Sequence, residues 1–300
     1  MQKELTNQYN NILERELINL FHRLDLPLHF NKTGTKTFTN YQRIALIFLY
    51  YRSKKTLRDF VEEINESKWM DWLGLKKAPK KSTLHDWLKI FGMKVLRKMN
   101  SFLKPKQIEL AAIDGSGLDS WQRSRHYSKR IGEPPMPYAK IDIFIDVKKQ
   151  IIIDFQLVMK KEHDAKSATK IFKRNRLKGM DILGDGAYDS EPLHEIVRNK
   201  KGALYAPVRK KNKRTNKKRP KGRYRRLCLE LPEFQGQRSI VEAVIKVLKR
   251  TQIPCLRSKK EFMKKREFAW NIILYNIRRK TKISEDSEIQ TFIFCLRFIG

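Results

Sequence analysis

The chain has 300 residues, enough for one large domain or two smaller ones. Lys and Arg number 66 against 32 Asp and Glu, a net charge of +34 that disfavours self-association and calls for a polyanionic partner, nucleic acid first. Heat adaptation by mixed charges does not explain a two-to-one cationic excess.

No apolar run is long enough to cross a membrane, and no lipidation signal or leader is seen, so a membrane partner is not expected. Cys228, Cys255 and Cys295 stand far apart and form no CxxC pair, which argues against a zinc site and for a reducing, cytoplasmic setting.

Taken in order, residues 5–24 have the period of an amphipathic helix, and a polar linker at 31–36 follows. Residues 39–100 read as all-helical. Ile44, Ile47, Phe48 and Tyr51 mark one helix, Leu57, Phe60, Val61 and Ile64 a second, Trp69, Trp72 and Leu73 a short third. Past Pro79, Ser82 or Thr83 is expected to cap a fourth, with Leu84, Trp87, Leu88 and Phe91 on one face. Lys76, Lys77, Lys80 and Lys81 precede it. Short helices, a basic turn and a capped last helix fit a helix-turn-helix-like DNA-binding unit, with His85, Asp86 and Lys89 free to reach bases. A plain helical bundle with a basic surface fits equally well.

The pattern changes after Pro105. An apolar run at 108–113 ends in Asp114-Gly-Ser-Gly. Residues 138–147 and 151–159 alternate apolar and polar across a tight Lys148-Lys149-Gln150 connection, so they predict an antiparallel hairpin. Asp142, Asp146 and Asp154 fall opposite the apolar set and are expected to be solvated. A helix from Asp164, a strand ending at Asp185, a helix after Ser190 and a fifth strand at 202–208 come next. A basic stretch at 209–226 leads to a helix at 235–249 and a last helix at 259–280. Three strands, helix, strand, helix, strand, helix is the order of a ribonuclease-H-like mixed α/β sheet flanked by helices. The expected division is a helical DNA-binding domain at 1–104, the α/β domain at 105–280 and a tail at 281–300.

In that layout a carboxylate on the first strand lies beside one ending the fourth, and a third reaches them from a helix packed on the sheet. Here these are Asp114, Asp185 and Glu242. On the 235–249 helix, Arg238, Glu242 and Lys249 share an arc of about 40° beside an apolar stripe. Crowded carboxylates raise one another's pKa, and divalent metal relieves them. Two such ions about 3.5–4 Å apart activate an attacking oxygen and stabilise a leaving one in phosphodiester chemistry. Each residue also has a plainer reading. Asp114 could sit in a turn, Asp185 in a loop with Asp189 as its competitor, and Glu242 on a solvated face paired with Arg238 and Lys246. His163 fits a cap region better than a ligand set.

Asp185-Gly-Ala-Tyr-Asp-Ser190 resembles the second-aspartate segment of insertion-sequence DDE transposases. The 235–249 helix resembles their Tyr-x2-Arg-x3-Glu-x6-Lys signature at Arg238, Glu242 and Lys249, with Gln235 where the signature has Tyr. Ser124-Arg-His-Tyr-Ser-Lys-Arg-Ile-Gly132 and His163-Asp164 resemble segments of the insertion-sequence 5-like branch. The resemblance, over about residues 40–280, implies a ribonuclease-H-like DDE catalytic domain in which Asp114, Asp185 and Glu242 hold two Mg²⁺ or Mn²⁺ ions. It implies that Arg238 and Lys249 contact DNA or orient the carboxylate. It also implies action on double-stranded DNA at terminal inverted repeats and target sites, as a homodimer in the DNA complex, at the nucleoid. Arg123, Arg125, Lys129, Arg130, Lys210, Lys211, Lys213 and Arg214 are expected to neutralise phosphates. A co-opted DNA-binding protein and a nuclease that never joins strands are the alternatives.

Overall fold

The computed structural model describes residues 2–30, 33, 36–118, 130, 139–160, 162–209 and 220–298, with side chains between 13 and 282 within those ranges. In chain order its elements are α1 (Gln2–Leu24), α2 (Asn40–Ser53), α3 (Leu57–Asn65), α4 (Trp69–Trp72), α5 (Lys81–Trp87), α6 (Met93–Leu103), β1 (Leu110–Leu118), β2 (Ala139–Asp146), β3 (Ile152–Val158), α7 (Asp164–Arg174), β4 (Asp181–Leu183), α8 (Glu191–Asn199), β5 (Ala203–Tyr205), α9 (Arg223–Leu227), α10 (Ser239–Val247) and α11 (Glu261–Phe298). The chain divides into two compact units, residues 1–103 with 262–300, and residues 104–261.

The first unit is helical. Leu13, Leu17, Leu20 and Leu24 form the buried seam of α1 at helical spacing. The apolar run Ile44 to Tyr51 wraps α2 on all sides, and all of it is buried. Thr39 starts α2 with a capping box: its hydroxyl accepts from Gln42 N at 3.1 Å, and Gln42 Oε1 accepts from Thr39 N at 2.8 Å. Against expectation, α5 begins before Ser82 and Thr83, and its N-cap is Lys80, which makes no side-chain cap bond. It ends at Trp87, and α6 follows as a separate helix. The last helix also departs from expectation. It runs unbroken past residue 280 and packs in this helical unit, not with the sheet. Trp270 of α11 is the reason: its buried ring meets Phe48 edge-on at 5.0 Å and Phe91 at 5.9 Å.

The second unit is built on one sheet in the order β3-β2-β1-β4-β5. β1–β2 and β2–β3 are antiparallel, while β1–β4 and β4–β5 are parallel. This is the ribonuclease-H-like mixed sheet with helices on its faces. The β2–β3 connection turns on Gln150, at φ 56°, and Asp146 Oδ1 accepts Lys149 N at 2.9 Å. Ala111 and Ile113 of β1, Phe144 of β2 and Ile153 join Ala168, Ile171 and Phe172 of α7 and Leu193 and Val197 of α8 in one core. α10 covers β1 and β2 from the other side.

With helices on both faces, Asp142, Asp146 and Asp154 are buried, not solvated. Asp154 Oδ2 takes Arg174 Nε at 3.1 Å and Asn175 Nδ2 at 2.7 Å, which answers its burial.

Candidate functional site

Asp114 stands inside β1, not at its end. Gly115-Ser-Gly117 continues the strand, paired with β2 through Leu118 opposite Ala139. The neighbour β4 stops earlier: Leu183 is opposite Ala112 in parallel register. Asp114 and Asp185 each follow two residues after those partners, and the charge of Asp185 reaches the Asp114 carboxyl. Asp185 then caps a short 3-10 turn, Gly186–Tyr188, its Oδ1 accepting Ala187 N at 2.8 Å. A Cβ at Gly184 would stand 3.1 Å from the buried Tyr188 side chain, so a larger residue there would crowd that ring.

Alternation along β1 turns Asp114 and Ser116 away from the α7 side, toward α10. Glu242 lies on α10 with its side chain half exposed and paired to Arg238 Nη2 at 2.6 Å. Lys249, in a π turn after α10, donates to Ser116 Oγ at 2.7 Å. Gln235 Nε2 donates to Gly184 O at 3.2 Å, tying the approach to α10 to the strand end before Asp185, while its Oε1 is buried with no partner.

Burial pushes the Asp114 carboxyl up to about 6. The Gly115 backbone bond opposes this, the charges of Asp185 and Glu242 add to it, and Arg238 counters them. The sequence-predicted carboxylates therefore feel one another's fields. Among the described residues, no three His, Cys, Asp or Glu side chains stand together at metal-ligand spacing, and Glu242 pairs with Arg238.

Ser116 escaped the sequence reading. The signal for it was period-two spacing from Asp114. His163 is the N-cap residue of α7 and makes no side-chain cap bond. With Asp164, Glu162, Lys140 and Gly115–Gly117 it lines a cleft of about 540 Å³. There Lys140 Nζ bridges Asp164 at 2.5 Å and the buried Asp142 at 3.2 Å. Asp189, the proposed competitor of Asp185, has a fully buried side chain that pairs with Arg225 at 2.6 Å, so it is no free ligand. Arg130 is exposed. Arg123, Arg125, Lys129, Lys210, Lys211, Lys213 and Arg214 lie outside the described residues.

The family model for the transposase DDE domain matches residues 105–277, more than half of the sequence. The chain belongs to the transposase DDE domain family. A search of curated proteins found no match. Among solved structures the chain is similar to one in a cryo-EM structure of the piggyBac transposase synaptic complex with hairpin DNA, at 13% identity and a TM-score of 0.49, over 92% of this chain and 73% of that one.

Proposed function

We propose that this chain is a working DNA transposase that cuts phosphodiesters at the ends of its element and joins them to target DNA. The observation supporting this is that β1 and β4 pair in parallel up to Ala112 and Leu183, two residues before Asp114 and Asp185, and that α10 packs on β1 and β2. The donor set fits a divalent cation: hard carboxylate oxygens only, with Asp114 raised by burial and by its acidic neighbours. Asp114, Asp185 and Glu242 would hold Mg²⁺ or Mn²⁺, two ions by the family resemblance. When bound, the metal would supply Lewis-acid stabilisation of attacking and leaving oxygens.

The chain's own residues do the rest. The Ala187 N–H fixes one Asp185 oxygen and so the direction of the other. Arg238 holds Glu242 and offers its remaining donors outward, where a phosphate oxygen would be met. Lys249, braced by Ser116 on the Asp114 face, presents a second cation. Double-stranded DNA is the partner, bound as terminal repeats and target, by a homodimer at the nucleoid. Among the described residues no helix is long and apolar enough to cross a membrane.

Cleavage of a labelled end duplex tests this reading. Asp114→Asn, Asp185→Asn and Glu242→Gln should each lower the rate by at least about 10²-fold, as removal of one charge-stabilising group does in other sites, while DNA binding changes little. EDTA should abolish cleavage in the parent chain. Undiminished cutting in EDTA, or near-parental rates in any of the three variants, overturns the assignment.

A further inference from the structure

A cationic cleft opens at the other end of the strand that carries Asp114, and the cleavage chemistry does not use it. Lys104, Lys106, Glu109, Arg176 and Lys178 line a space of about 410 Å³ within the 104–261 unit, with the buried Ile108 and Ile153 among its walls. Glu109 precedes Asp114 by five residues, and its carbonyl accepts Asp181 N at 2.8 Å, so the cleft lies where β1 and β4 begin. At about 3.3 Å per residue that is roughly 17 Å from Asp114 along the strand. Lys104 is held in place by its neighbours. Its Nζ donates to Asn175 Oδ1 at 2.8 Å, and the buried Asn175 is fixed in turn, its Nδ2 donating to Asp154 Oδ2 at 2.7 Å and to Ile171 O at 2.8 Å. An ammonium has three donors, so one bond to Asn175 leaves others for a ligand. Burial lowers the Lys104 pKa, and the charge of Asp154 opposes that shift. Lys106, Arg176 and Lys178 are exposed, and their side chains have no ion-pair partner among the described residues. Gly179, at φ 74°, turns the loop that carries Arg176 and Lys178, and the turn is bonded: Gly179 N donates to Lys201 O at 2.8 Å and Met180 N to Leu177 O at 3.1 Å.

We propose that this cleft seats a backbone phosphate of duplex DNA, one that is not being cut. This rests on the DNA-binding part of the transposase reading. Four cations against one carboxylate call for an anion. The lining has no aromatic ring for a base to stack on, so the phosphate is what it can recognise. Ammonium and guanidinium donors suit phosphate oxygens, and apolar walls strengthen the attraction by lowering the local dielectric. A Lys104 fixed beforehand loses little freedom on binding. The distance to Asp114 places the seated phosphate elsewhere on the bound duplex or on a second one, so the cleft steadies DNA and does not react with it. Free pyrophosphate offers the same chemistry, and the experiment separates the two sources.

The test uses the full-length chain in EDTA. One readout is titration of a fluorescent duplex over a series of salt concentrations. The other is lysine acetylation mapped by mass spectrometry, with and without DNA or pyrophosphate. Saturating duplex should lower acetylation of Lys106 and Lys178 severalfold. Lys106→Gln, Arg176→Gln and Lys178→Gln made together should flatten the slope of log K against log salt by about 0.9 for each phosphate lost, or about tenfold in affinity at 0.1 M salt for one phosphate. The removal of three charges by itself weakens binding without any footprint, so protection in the parent chain is required as well. Unprotected Lys106 and Lys178 in the saturated parent chain, or an unchanged slope in the folded variant, overturns the seat. Should the triple variant fail to fold, the footprint on the parent chain decides. Protection by pyrophosphate but not by duplex gives the cleft to a free phosphate and removes DNA as its occupant. Asp114→Asn should keep the whole footprint, so a chain that binds duplex but never cuts it loses the catalytic reading and keeps the seat. A parent chain that binds no duplex loses both.

Discussion

Asp142 has one carboxylate oxygen in reach of Lys140 at 3.2 Å and Tyr188 Oη at 3.4 Å, and the other buried with no partner. Burial pushes its pKa up to about 6, and Lys140 opposes the shift without cancelling it. On Lys140 burial opposes the charge, but the bonds to Asp164 and Asp142 outweigh it and raise the pKa. The folded carboxyl binds its proton more tightly than the unfolded one, whose pKa is 3.8, so ionisation costs stability. No cost exists below about pH 4, it grows through about pH 6, and above that it is constant, at of order 1–3 kcal/mol. Asp142→Asn should therefore match the parent chain at pH 4 and exceed it above pH 6 in urea midpoint, measured in EDTA. A gap that does not change with pH would mean that attraction to Lys140 balances burial. Sequence alternation had put this aspartate in water. It could not show that α7 lies over the polar positions of β2, because that covering depends on a helix twenty residues downstream.

At the scale of elements, the β2–β3 hairpin, α7, α8 and the strand before Asp185 were legible because periodicity and turn residues agree there. β1 was read short. Gly115-Ser-Gly117 has the composition of a turn, yet β2 runs alongside and supplies ladder partners to Leu118, so pairing overrides local preference. The same over-reading of caps misplaced the start of α5 and hid α6. The placement of α11 was hidden for a different reason: its apolar face, with Ile272, Ile273 and Ile277 buried, fits any core, and only Trp270 meeting Phe48 and Phe91 says which. A consequence can be measured. A fragment ending at residue 104 exposes Phe48, Phe91 and their neighbours, at roughly 1.5–3 kcal/mol for each large side chain left uncovered. It should show no cooperative melt alone, and regain one when a peptide spanning 261–298 is added. A cooperative melt of the 1–104 fragment by itself would show that α11 is an accessory to the helical unit. Asp114, Asp185 and Glu242 were singled out as a set from their expected places in a topology, and whether they act together is what the cleavage variants decide. Ser116 was not, since its partner Lys249 comes from 133 residues further along the chain.

At the scale of the whole molecule the charge of +34 dominates, and it makes affinity alone a poor reporter of any single cation. On the transposase reading, a chain so basic would attract duplex DNA even after several lysines are replaced. What changes when a true phosphate partner is removed is the number of counterions released, and that number is read from salt dependence. For the parent chain log K should fall linearly with log salt, with a slope of about −0.9 for each phosphate neutralised. Lys210, Lys211, Lys213 and Arg214 lie between Arg209 and Arg225 in the sequence, outside the described residues. Replacing these four by Ala should flatten the slope by about 0.9 for each phosphate that is no longer neutralised, equally for end duplex and scrambled duplex, because phosphates carry no sequence. The same change made at Lys76, Lys77, Lys80 and Lys81, before and at the first residue of α5, should flatten the slope and also narrow the preference for the element's end if that helix reads bases. Fluorescence titrations at a series of salt concentrations with the two duplexes separate the cases. An unchanged slope in the first variant assigns phosphate binding to other surfaces, and an unchanged preference in the second removes α5 from sequence recognition.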